Sequence, residues 1–118
     1  NKFLRLRMIF DKLLLYSLMK IISLLNKVEV RKASHYLLLI FIKKYEMIDE
    51  ILRAYTVSIR ENPDQWKQIQ KIIHSFQSLL VIEPKCVTFP ANYTLLDDLM
   101  RLVIAFRLHQ HQLIQKAS

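Results

Sequence analysis

Residues 24–44 read LLNKVEVRKASHYLLLIFIKK, and the fold class turns on the seven consecutive apolar residues inside them, Tyr36 to Ile42. A run of that length is either a buried strand or part of a buried helix. A strand needs a partner for its backbone, and no second strand candidate exists in the 118 residues. The run therefore reads as helix, starting near Val30 after the polar turn Asn26-Lys27-Val28-Glu29 and ending near Lys43. Val30, Ala33, Tyr36, Leu37, Ile40 and Phe41 mark its expected inner face, with Leu38, Leu39 and Ile42 on the remaining sides.

Composition points the same way. Apolar residues make up 53 % of the chain and glycine is absent, whereas average glycine usage is about 7 %. Tight hairpins, phosphate-cradling loops and dinucleotide fingerprints need glycine for positive φ or close backbone approach. P-loop and Rossmann readings are thereby excluded and an all-β domain is opposed. The expectation is a single all-α domain of about five helices over 1–118.

Upstream, 2–25 reads as one helix. Phe3, Leu6, Phe10, Leu13, Leu14, Leu18, Ile21, Ile22 and Leu25 recur at helical spacing. Leu4, Met8, Ile9, Leu15, Tyr16, Met19 and Leu24 extend the apolar surface over most of the circumference. Such a helix is either central or covered by something outside the chain.

Downstream, a third helix over 46–61 has Met47, Ile48, Ile51, Leu52, Tyr55 and Ile59 on one stripe. Asn62-Pro63-Asp64 reads as an N-cap, an N1 proline and a first-turn acid, opening a fourth helix that runs to about 81. Trp66, Ile69, Ile72, Ile73, Phe76, Leu79 and Leu80 form its inner stripe, and Ser75 falls on the polar side. Residues 82–93 form the long loop, with Val87 and Phe89 expected to pack back on the core. Thr94-x-x-Asp97 reads as a capping-box variant before a fifth helix over 95–116, polar in its last turns.

The net charge of +8 is uneven. Residues 1–44 carry ten Lys and Arg against Asp11 and Glu29, while 45–118 carry eight basic and eight acidic residues. The basic face is composed of Arg5, Lys12, Lys27, Arg31, Lys32, Lys43 and Lys44, the candidate partner-binding residues. It suits an acidic partner, nucleic-acid phosphates or lipid headgroups. No window is apolar and charge-free enough for a transmembrane helix. One cysteine, Cys86, forbids an internal disulfide and suits a reducing compartment, so an intracellular setting, cytoplasm or nucleus, is expected. Charges from Lys2 to Lys12 interrupt any signal peptide, and Asn1 in place of Met suggests a cut or incomplete start.

Residues 18–38, LMKIISLLNKVEVRKASHYLL, resemble the junction between successive HEAT or armadillo-type repeats. In that family a Leu-rich helix end and a polar turn precede a helix opening with Val-Arg and small residues; here these are Val30-Arg31 with Ala33 and Ser34. A fainter echo at an offset of 36 aligns Arg31 with Lys67, Ala33 with Ile69, Tyr36 with Ile72, Leu37 with Ile73 and Ile40 with Phe76. The resemblance implies an α-solenoid fragment in which the first helix lacks its neighbour, and a chain that is a fragment or a subunit of a larger assembly. A compact five-helix bundle stands beside it as the other architecture.

No constellation carries a reaction. His109 and His111 are two apart and diverge by about 200° on a helix, so they cannot share a metal. His35 and His74 sit in apolar runs and read as buried or boundary histidines with a backbone partner. Asp97-Asp98 reads as capping, and Cys86 has no histidine base nearby. Arg31-Lys32-Ala33-Ser34 matches a basophilic kinase site, but Ser34 is expected inside a packed helix. Asn92-Tyr93-Thr94 matches a glycosylation sequon. Membrane-surface binding is disfavoured because the core needs the apolar faces. The expected function is a non-enzymatic protein–protein interaction or scaffold module without cofactor, metal or small-molecule substrate. Its partner is another protein chain or the remainder of its own chain. The second reading is a nucleic-acid-binding helical domain using the basic N-terminal half.

Overall fold

The computed structural model describes residues 2–24, 27–61, 63–84 and 93–117. Those residues form five helices and no strand: α1 (Lys2–Leu24), α2 (Val28–Tyr45), α3 (Ile48–Glu61), α4 (Trp66–Ile82) and α5 (Tyr93–Ala117). The all-α class is as the sequence implies.

The centre of the molecule is α3. It packs against α1, α2, α4 and α5, and it buries Ile48, Ile51, Leu52, Ala54, Tyr55, Thr56 and Ile59. This is the stripe its sequence spacing predicts, with Met47 half-buried just before it. The α3–α4 seam is closed by Tyr55 and Phe76, whose ring centroids lie 5.4 Å apart in a tilted arrangement. From α4 the core takes Ile69, Ile72, Ile73, Phe76 and Leu79, and from α5 it takes Leu99 and Val103.

Two packings decide the architecture. Helix α1 lies against α4 as extensively as against any helix except α3. A one-dimensional stack of repeats contacts only its neighbours, so it would keep the trailing helix of one repeat away from a helix two repeats on. The packing is that of a bundle. The echo at offset 36 also fails to carry into burial. Ala33 is exposed, Tyr36 is 66 % exposed and Leu37 41 %, while Ile69, Ile72 and Ile73 are core.

The inner face of α2 differs from expectation. Leu38, Phe41, Ile42 and Ser34 are buried, and Val30 and Ile40 are half-buried. The true face is turned by about one residue, roughly 100°, from the predicted one. An apolar run on all sides gives periodicity nothing to choose between, and the polar residues that border the true face made it look like an outer one.

Helix ends also shift. Residues 46 and 47 form a joint in which Glu46 takes φ 53° and ψ 40°, the left-handed C-cap of α2. Its N–H donates to the Ile42 carbonyl at 3.1 Å, and the Met47 N–H donates to the Phe41 carbonyl at 3.1 Å. Helix α4 begins at Trp66 rather than near Pro63, because Pro63 and Asp64 form a turn first; the expected cap, Asn62, lies outside the described residues. Trp66 is not core but 44 % exposed, with the Lys67 ammonium over its ring. Helix α5 begins at Tyr93, so Thr94 is already helical. Asp97 pairs there with Arg101 at 3.0 Å, one turn on. The expectations for Val87, Phe89, Cys86 and Asn92 fall outside the described residues.

The bundle is elongated. Its extents are 56 × 32 × 26 Å and its radius of gyration is 15.0 Å, against about 13.5 Å for a compact chain of this length. The longest helix, α5, accounts for only about 38 Å of that long axis.

Candidate functional site

Helix α1 has two unlike halves. In the second half Leu15, Leu18, Met19, Ile22 and Ser23 are buried. In the first, every residue from Lys2 to Phe10 is exposed. One line of side chains continues the core face back along the helix: Leu15, Asp11, Met8 and Leu4, at steps of four, three and four. Asp11 is half-buried on this line. With Arg7, Lys12, Met47 and Glu50, the line Leu4, Met8 and Asp11 walls a cleft of about 220 Å³ beside the start of α3.

A second line runs along the other side. Phe3, Leu6, Phe10 and Leu13 follow one another at steps of three, four and three. They are 81 %, 64 %, 68 % and 61 % exposed. Ile9 and Leu14 flank them and are also exposed. The sequence merges these two lines into one apolar surface and leaves it open whether the bundle or something outside the chain covers it. The structure separates them, because a helix has a single direction toward the bundle and α1 turns Leu15, Leu18, Met19 and Ile22 to it. The outer line is therefore a spare apolar surface. The premise that no apolar face is left over from the core is overturned for this half-helix.

The seven basic candidates lie along α1, at the start of α2 and along α2. Arg5 and Lys12 are exposed on α1, Lys27 at the start of α2, and Lys32, Lys43 and Lys44 along α2. Arg31 and Lys43 are separated by about 18 Å of helix rise. Arg31 departs from the expectation most. It stands on the core side of α2, half-buried, and its Nε is buried with no hydrogen-bond partner among the described residues. Its place at i−3 from Ser34 and i−7 from Leu38 puts it on the buried line.

A polar chain lies beside it inside the bundle. Ser75 Oγ is 2.7 Å from His35 Nε2 and 2.8 Å from the Tyr55 hydroxyl, joining α2, α3 and α4. Burial pushes the His35 imidazole below its ordinary value of 6.5, and the nearby His74 and Arg31 push it the same way. A neutral imidazole satisfies the chain: Tyr55 donates to Ser75, and Ser75 donates to Nε2. Ser75 is 2 % exposed, and its hydroxyl clasps the three helices together. The sequence placed Ser75 on the water side and gave His35 a backbone partner. The signal was available: Ser75 is three residues after Ile72 and four before Leu79, inside the buried stripe. His74, by contrast, is exposed. Ser34 is buried and donates to the Val30 carbonyl at 2.9 Å, so the serine of the kinase-like motif is packed away.

Among the described residues no three His, Cys, Asp or Glu side chains gather as a metal requires, and no helix is long and apolar enough to cross a membrane. His109 and His111 are exposed on α5. No family model matches this chain, and no curated protein or solved structure matches it either.

Proposed function

We propose that this chain is a non-enzymatic protein–protein interaction module, a scaffold whose partner docks on the first half of α1. The observation that carries the reading is the outer line Phe3, Leu6, Phe10 and Leu13, exposed while the second half of the same helix is core. Contiguous exposed apolar surface of this kind marks interaction sites. Fully burying one such side chain contributes about 1.5–3 kcal/mol, so the four together contribute on the order of 8 kcal/mol. Association costs about 4–15 kcal/mol. The apolar line thus comes close to offsetting that cost, and charged neighbours tip the balance. The single Cys86 fits an intracellular, reducing setting.

A photo-crosslinking side chain at Phe3 or Phe10 tests the reading. The expected result is a discrete adduct with one protein, reproduced when that protein is purified and mixed with the chain at stoichiometric amounts. Adducts spread over many proteins, or none after purification, would sink it. The nucleic-acid reading has less support. One of its seven cations, Arg31, is half-buried, with its Nε turned inward. Binding of a short duplex that weakens steeply with salt and disappears on charge reversal at Lys32, Lys43 and Lys44 would bring it back.

A further inference from the structure

We infer that the partner on the outer line of α1 is an acidic amphipathic helix of another protein. It would seat its apolar ridge on Phe3, Leu6, Phe10 and Leu13 and turn its carboxylates to the surrounding cations. The inference rests on the interaction reading above and adds the chemistry of the partner.

Three features of the half-helix select that occupant. The first is spacing. Steps of three, four and three keep the four side chains along one ridge for about three turns, the register in which one helix receives another. The second is charge. On the helical wheel Lys2 and Lys20 border one edge of the ridge and Arg7 the other. All three are exposed. The single acid in α1, Asp11, lies about 120° round from the ridge, half-buried at the cleft with Met47 and Glu50. The ridge is thus framed by positive charge only, and carboxylates are what complement it. The third is that apolar side chains emerge on both sides of the helix. Leu6 and Met8 point about 160° apart, and both are exposed.

The same features argue against the other occupants. A second copy would set the cations around one ridge against those around the other in either helix direction, and each chain carries a net charge of +8; like charges juxtaposed across an interface oppose it. A lipid surface would attract the cations, but a plane covers one side of a helix and leaves Leu4 and Met8 in water. A protein can cover the ridge and reach round it.

The test uses the full 118-residue chain and two designed helical peptides of about 20 residues each. Both carry leucines at alternating steps of three and four; one has glutamates beside the leucines and the other lysines. The glutamate peptide should bind at least about tenfold more tightly than the lysine peptide. Its affinity should fall as salt rises from about 0.05 M to about 0.5 M. It should also be lost in the Leu6→Ser, Phe10→Ser double variant, with helical content and melting unchanged. Lys2→Glu with Lys20→Glu should narrow or reverse the preference. If the two peptides bind equally and the double variant abolishes both, the acidic chemistry is overturned while the interaction reading stands. If neither peptide binds, both are overturned. Co-flotation with phosphatidylserine vesicles, or dimerisation in sedimentation equilibrium, would assign the ridge to lipid or to a second copy if the double variant abolished it while the glutamate peptide was ignored.

Discussion

At Ser75 one hydroxyl serves two partners from two other helices, Tyr55 and His35. Replacing it with alanine removes both bonds from the interior of the bundle. Such a loss costs about 1–3 kcal/mol. Ser75→Ala should lower the free energy of unfolding in urea by that amount, and a double-mutant cycle with Tyr55→Phe should show the two losses to be less than additive. His35 makes the same clasp acid-sensitive. Its pKa lies below the ordinary 6.5 in the folded chain, so the unfolded chain binds the proton first. The stabilisation is complete above 6.5 and is lost as pH falls from there through the folded value. Urea titrations at a series of pH values should show this fall, and His35→Gln should flatten it. Arg31→Met should reduce it only in part, because burial is the larger cause. None of this was legible residue by residue, since a serine or histidine inside an apolar run looks alike whether it faces water or a partner 40 positions away. Only the position of Ser75 between Ile72 and Leu79 hinted at it.

The elements divide by how clearly their sequences point one way. Helices α3 and α4 alternate apolar and polar residues, and their inner stripes could be read almost side chain by side chain. Helices α1 and α2 are apolar nearly all round. For them spacing identifies a helix but not the direction of the core, which is set by what the neighbours offer. That is why the spacing of Phe3, Leu6 and Phe10 leaves open whether they are covered by the bundle, and the structure puts them outside it. The two halves of α1 should therefore respond differently to substitution. Leu15→Ala should cost about 2–5 kcal/mol, whereas Leu6→Ser with Phe10→Ser should leave stability within about 0.5 kcal/mol, both measured by chemical denaturation. The joint between α2 and α3 gives a gain instead. Glu46 occupies the left-handed region, where a β-carbon is unfavourable by about 1–2 kcal/mol, and its N–H already closes the end of α2. Glu46→Gly should raise stability by about 0.5–1 kcal/mol, read as a higher melting temperature. A chain without glycine meets this requirement with a residue poorly suited to it.

Across the whole molecule, the absence of glycine and of any second strand candidate was enough to predict five helices. Their arrangement was not, because the Val30-Arg31 junction looks the same at the entrance to a stacked repeat and in a bundle. The contact between α1 and α4 distinguishes the two, and it depends on surfaces far apart in the chain. That closure holds the second half of α1 in the core and leaves the first half outside it. The outer half has little tertiary contact to resist local opening, and it carries Arg5, Arg7 and Lys12. To trypsin it is a marked cleavage zone. Brief digestion should cut the arm, and the shortened product that keeps the second half of α1 should melt as a unit. A partner seated on Phe3, Leu6, Phe10 and Leu13 would hide those same bonds, so the digestion rate at Arg5, Arg7 and Lys12 becomes a clock for occupancy that needs neither a label nor the partner's identity.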